Sequence, residues 1–111
     1  MNPQAILADL KGLGRALRAV EQDTSQRVTA REPHVAHYAD LNPVMFPESL
    51  RTVEELVAFC RKQSIKYVVY SGVEYSSRPY LRILFKPEAD FQGLEHIISN
   101  RAGIVYRVTG I

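Results

Sequence analysis

Six side chains in this sequence fall where they can act on one ligand: Arg31, His34, Ser71, Glu74, Tyr75 and Arg78. Arg31 and His34 bracket Glu32-Pro33, between a short β-branched segment and a short helix, and the other four follow the most apolar strand of the chain. A guanidinium presents a two-pronged fork to a phosphate or a carboxylate. Arg31 can therefore clamp an anion, with His34 assisting or titrating beside it. The plainer alternative is that Arg31 pairs with Glu32 or Glu74 and holds two loops together. No GxGxxG or Walker sequence is present, and the first turn has no glycine at all, so a full phosphate loop is missing.

The remaining candidates are weaker. His34 and His37 stand three apart on a short helix, with Asp40 or Glu32 as a conceivable third metal ligand. Zinc normally needs three or four convergent ligands, and the HExxH spacing is absent. Partly exposed histidines beside Val35 and Tyr38 account for the same pattern, and neither a metal nor a cofactor is expected. Cys60 is the only cysteine, which excludes an intrachain disulfide and any multi-cysteine zinc site. On an apolar helix face it reads as a small core residue. Ser71 precedes Gly72 without the GxSxG of a nucleophile elbow. Glu54 and Glu55 are adjacent on a helix and point apart, and capping explains Glu55. Tyr67, Tyr70, Tyr75, Tyr80 and Tyr106 are numerous for so short a chain, and tyrosines beside arginines suit sugar or partner surfaces. Strand alternation puts Tyr67 with Val69 on one face and Tyr70 with Val68 on the other, as core residues with a wet hydroxyl. Tyr75 with Arg78 is the expected exposed pair. No complete catalytic site emerges.

These residues need a scaffold, and the chain supplies one domain's worth. Its 111 residues fall within the usual range for a single domain, with no room for a second core. A domain of that size buries roughly two-thirds of its unfolded surface. The 46% hydrophobic content is ordinary, so neither metal nor disulfide is required as a staple. Fourteen basic and twelve acidic residues leave a formal charge of +2. Nucleic-acid modules concentrate basic residues on one element. Here the densest group is Arg61-Lys62 with Lys66, read as the end of a helix, where it complements the dipole. No nucleic-acid partner is expected. No stretch approaches the ~20 apolar residues of a membrane span, and no secretory leader pattern opens the chain. The isolated chain is expected to be water-soluble.

Asn2-Pro3 caps a helix whose Ile6, Leu10, Leu13, Leu17 and Val20 recur at helical steps, and Gly12 and Gly14 make it dependent on docking. Gln22 to Ser25 ends it. Arg27 to Arg31 predicts a strand, Pro33 to Ala39 a brief helix stopped by Asn42-Pro43, and Val44-Met45-Phe46 an edge strand. Thr52-Val53-Glu54-Glu55 is a capping box ahead of Leu56, Val57 and Cys60. Ile65 to Tyr70 reads as a strand covered on both faces. Ser77-Arg78-Pro79 can cap a further helix through Tyr80, Leu81, Ile83 and Leu84. Leu94 to Ile98 and Ile104 to Val108 flank Asn100-Arg101-Ala102-Gly103 as a hairpin. The alternation predicts a three-layer, Rossmann-like α/β sandwich with a mainly parallel sheet of order 2-1-3-5-4, closed by a C-terminal antiparallel hairpin. In such a sheet the ligand crevice lies beyond the strand carboxyl ends, where the order reverses. That places it between the Arg31–His34 turn and the loop from Ser71 to Tyr75.

Together, the run Arg27-Val28-Thr29-Ala30-Arg31-Glu32-Pro33-His34-Val35-Ala36-His37-Tyr38, then Phe46-Pro47, the Thr52 to Arg61 helix, Tyr67-Val68-Val69, Arg78-Pro79 and Gly103-Ile104-Val105-Tyr106-Arg107-Val108 resemble a known pattern. It is that of the C-terminal extramembrane domain of membrane-embedded glycosyltransferases, the protein-mannosyltransferase and aminoarabinose-transferase-like superfamily, which uses polyprenyl-phosphate sugars. The resemblance spans about residues 2 to 109. Two positions depart from it: Ser64 stands where a helix-ending glycine is expected, and Tyr70-Ser71 replaces an acidic strand ending. The resemblance implies a non-catalytic accessory domain on the extracytoplasmic side, a piece of a larger membrane protein. Residues 2–22 would lead from the last membrane span, and the domain would pack over the active-site mouth against the membrane domain and an acceptor. It places the catalytic acid and the lipid-phosphate contacts in that membrane domain. Met1 would then not be the natural start. The alternatives from residue chemistry are a free-standing domain binding a small anion or sugar phosphate, and a protein-interaction module using Tyr75 and Arg78.

Overall fold

The computed structural model describes residues 3–30, 34–45, 47, 49–71, 84 and 91–110. Its elements are α1 (Pro3–Val20), β1 (Arg27–Thr29), α2 (His34–Ala39), β2 (Asn42–Val44), α3 (Val53–Lys62), β3 (Ile65–Ser71), β4 (Leu94–Ser99) and β5 (Gly103–Val108). The helix expected from Ser77 falls outside the described residues except for buried Leu84. The strand expected at Val44 to Phe46 begins earlier, at Asn42, so Asn42-Pro43 belongs to the strand rather than ending the helix before it. Pro43 is tolerated because β2 is an edge strand, where a missing amide hydrogen breaks no ladder.

The sheet runs β2-β1-β3-β5-β4, the expected order. It is open, with β2 and β4 as its edges, and it is mixed rather than mainly parallel. β1 lies parallel to β2 and β3, whereas β5 is antiparallel to both β3 and β4. The parallel pairs are limited by the three-residue lengths of β1 and β2, while the antiparallel pairs use the longer β3, β4 and β5. Most of the ladder is therefore antiparallel.

Alternation along the strands sorts the core into two apolar clusters. Ile104, Tyr106 and Val108 of β5 join Val68 and Tyr70 against Leu56, Val57 and Cys60 of α3. Val105, with Tyr67 and Val69, joins Leu10, Leu13 and Leu17 of α1 and Val35, Ala36 and Ala39 of α2. A bulge breaks the alternation at the start of β3, where Arg27 pairs with Ile65 but Val28 pairs with Tyr67. The extra residue lets Ile65 join the α3 cluster while Lys66 and Tyr67 both reach the end of α1.

Helix α3 starts as its sequence requires. Thr52 is extended (φ −128°, ψ 159°) and accepts the Glu55 amide hydrogen at 3.1 Å. The return bond runs from the Thr52 hydroxyl to the Glu55 carboxylate, at 3.2 Å. After α3, Ser64 takes φ 55°, the left-handed conformation for which glycine was expected.

Thr29 is fully buried in β1, and among the described residues its hydroxyl has no hydrogen-bond partner. A buried unsatisfied hydroxyl costs roughly 1–3 kcal/mol. Replacing it with the isosteric methyl in Thr29→Val is expected to stabilise the fold by about 1 kcal/mol. Urea unfolding would show a higher midpoint at unchanged slope.

Candidate functional site

The switch-point geometry anticipated from the sequence is present in its strand order. β1 lies between β2 and β3; α2, which follows β1, and α3, which follows β2, pack into different apolar clusters. His34 opens α2, five positions past the end of β1, and is exposed, and Ser71 ends β3 with 1% exposure. β1 and β3 are parallel neighbours, with Ser71 at the carboxyl end of β3 and His34 on the helix that follows β1. Arg31, Glu74, Tyr75 and Arg78, with Glu32 and Tyr80, lie outside the described residues.

The other candidates resolve more simply. His37 is exposed and meets Tyr38 edge-on, ring centroids 5.1 Å apart. Among the described residues no group of three His, Cys, Asp or Glu side chains could hold a metal ion. Glu54 and Glu55 are exposed in the first turn of α3, where carboxylates suit the helix dipole. Tyr67, Tyr70 and Tyr106 are buried, and the Tyr106 hydroxyl donates to the Leu84 carbonyl oxygen.

Cys60 is fully buried, and burial pushes its thiol up to about 12. The thiolate is the reactive form, so this sulfur is chemically silent in the folded state. A thiol reagent at neutral pH is expected to label Cys60 only in denaturant; rapid labelling of the native domain would refute this placement.

The strongest polar constellation is one that the sequence does not advertise. Glu21, 8% exposed just past α1, accepts hydrogen bonds from the Lys66 ammonium and from the Tyr67 hydroxyl at 2.9 Å. Its second carboxylate oxygen accepts the Asp23 amide hydrogen at 3.3 Å. Burial pushes the Glu21 pKa upward, but these bonds outweigh it and hold the carboxyl below its usual range. Burial, with the Glu21 bond, raises Tyr67 to about 12. Lys66 therefore sits in β3 as the partner of Glu21, not as an extension of the Arg61-Lys62 helix end. Forty-five positions separate Glu21 from Lys66, and no spacing rule links residues so far apart. The one available signal was a lysine inside an otherwise apolar strand.

Beside this cluster a cavity of about 260 Å³ is lined by Gln26, Ser64, Lys66, Val108 and Gly110. It lies at the amino-terminal ends of β1 and β3, opposite His34 and Ser71. Its charged group, Lys66, is already bonded to Glu21, and nothing in its lining is an activated nucleophile or acid. The cluster ties the end of α1 to the sheet. No protein-family model, curated protein or solved structure matches this chain.

Proposed function

We propose that this chain is a non-catalytic accessory domain of a membrane glycosyltransferase that uses polyprenyl-phosphate sugars. It sits on the extracytoplasmic face and packs near the active-site mouth, where it contacts the membrane domain of the parent protein and the acceptor. The observation that carries this proposal is the ordered set of segments resembling such domains. Four of those segments fall on β1 with α2, α3, β3 and β5 in chain order; of the other two, Phe46-Pro47 lies outside these elements and Arg78-Pro79 outside the described residues. The two apolar clusters support a three-layer, Rossmann-like arrangement, with α1 and α2 over one face of the sheet and α3 over the other. No described helix is long and apolar enough to cross a membrane, so the spans this proposal requires lie outside the described residues.

The decisive test is the genomic DNA upstream of codon 1. The expected result is an open reading frame in register, encoding several hydrophobic spans and ending in α1. A frame that continues upstream without such spans, or a genuine start site at Met1, would overturn the proposal. The isolated chain, supplied with a lipid-linked donor and acceptor, is expected to transfer no sugar.

A further inference from the structure

On α1, Lys11, Arg15 and Arg18 project from one side of the helix. At 100° per residue they fall within an arc of roughly 60°, and they span about 10 Å along the axis. The arc points away from the sheet, which Leu10, Leu13 and Leu17 face. Arg15 is exposed, Lys11 is half-buried, and the Arg18 side chain is 41% exposed. Among the described residues no carboxylate pairs with Lys11 or Arg15, and Arg18 makes a long contact to Asp40 at 3.9 Å and donates to the Gln22 carbonyl oxygen at 3.5 Å. The acidic residue of α1, Asp9, lies on a different side and pairs with Arg101 at 3.2 Å. Tyr38 of α2 lies beside two of these cations, with Lys11 Nζ 5.4 Å and Arg15 Cζ 5.8 Å from its ring centroid. His34 and His37 are exposed on the same helix as Tyr38.

We propose that this stripe on α1, with Tyr38 beside it, docks the domain on an anionic phospholipid bilayer surface. The inference rests on the membrane-side placement proposed above, and it identifies which face turns toward the lipid. Three cations are too few for a nucleic-acid interface, whose affinity comes from neutralising about six to ten phosphates. Lipid headgroups diffuse laterally and gather under whatever spacing the protein offers, so no matching array of fixed anions is needed. A tyrosine among cations also suits the headgroup level, where an apolar ring and a polar tip are both accommodated. Each basic residue near such a surface contributes about a five-fold gain in partitioning.

The test is co-sedimentation of the full chain with vesicles of phosphatidylcholine alone and of phosphatidylcholine mixed equally with phosphatidylglycerol. Binding is expected only to the mixed vesicles, and it should fade at high salt as the charges are screened. The double variant Lys11→Gln/Arg15→Gln should lower binding by about 25-fold. Arg51→Gln/Lys62→Gln, which removes the same charge from around α3 on the opposite face, should leave it within about two-fold; circular dichroism checks that both fold. Absence of phosphatidylglycerol-dependent binding overturns the proposal. So does an equal loss in the two double variants, or binding to duplex DNA in its place. Upstream spans without vesicle binding would sink the docking face and spare the accessory-domain proposal. Vesicle binding without upstream spans would do the reverse.

Discussion

Glu21→Ala is expected to destabilise the domain by about 3 kcal/mol, a large share of the roughly 5–15 kcal/mol that holds a typical domain together. The substitution takes the acceptor from three donors, the Asp23 amide and two side chains of β3. The Tyr67 hydroxyl, on a residue 1% exposed, loses its acceptor in the core, and the Lys66 ammonium loses its counterion. Breaking a fully buried pair from one side costs about 3–5 kcal/mol, but the Lys66 side chain keeps 36% exposure and recovers part of its hydration, which sets the lower figure. Glu21→Gln keeps an acceptor oxygen and should lose about half as much. Urea unfolding of Glu21→Ala, Tyr67→Phe and the double variant would expose the coupling, since the double should cost clearly less than the two singles added.

The same cluster sets a pH dependence. The folded Glu21 carboxyl titrates below its unfolded value, so its contribution is present above the ordinary glutamate range and is lost as pH falls through the folded pKa. Tyr67 is shifted the other way, from 10 to about 12. Its contribution is complete below pH 10 and disappears as pH rises toward 12, because the unfolded chain releases the phenol proton first. In Tyr67→Phe the alkaline limb of the stability curve should flatten. An unchanged limb would mean that the tyrosine is not buried against Glu21.

Much of the architecture was legible because local signals and the global fold agree. Thr52 and Glu55 mark the start of α3, Asn100 to Gly103 marks the hairpin, and the apolar run at Val68 to Tyr70 marks a strand covered on both faces. Strand order followed from right-handed crossovers of parallel units. What escaped was non-local. The balance of parallel and antiparallel pairing depends on strand lengths, and β1 and β2 stop after three residues for reasons not written in their propensities. The bulge at Ile65 and Lys66 re-aims a lysine that sequence proximity assigns to the preceding helix. For the site, the reversal of strand order at β1 and the positions of His34 and Ser71 could be read, because topology alone determines them. The Glu21 cluster could not, since its members meet only once α1 has docked.

Docking of α1 also decides the fate of its two glycines, which propensity treats alike and packing does not. Alanine in place of an interior helix glycine gains up to about 1 kcal/mol from lost unfolded-state freedom. At Gly12 the nearest atom to an added Cβ is Asn100 Nδ2 at 4.0 Å, so Gly12→Ala should collect that gain and raise the melting temperature. At Gly14 an added Cβ would lie 2.7 Å from Tyr38 Cβ and 2.8 Å from the Val35 carbonyl oxygen, with the Ala39 amide nitrogen at 3.3 Å. These are backbone and near-backbone atoms of α2 that cannot swing aside. Relief requires α1 to lift from α2, opening the contact between Leu13, Leu17, Val35 and Ala39. Overpacking of this kind costs roughly 1–3 kcal/mol, more at a backbone contact, and it exceeds the propensity gain. Gly14→Ala is therefore expected to destabilise by about 2 kcal/mol net, and the two single substitutions should move the urea midpoint in opposite directions. If both stabilise, α1 does not lie against α2 through Gly14, and the side of the domain assigned to the membrane loses its foundation.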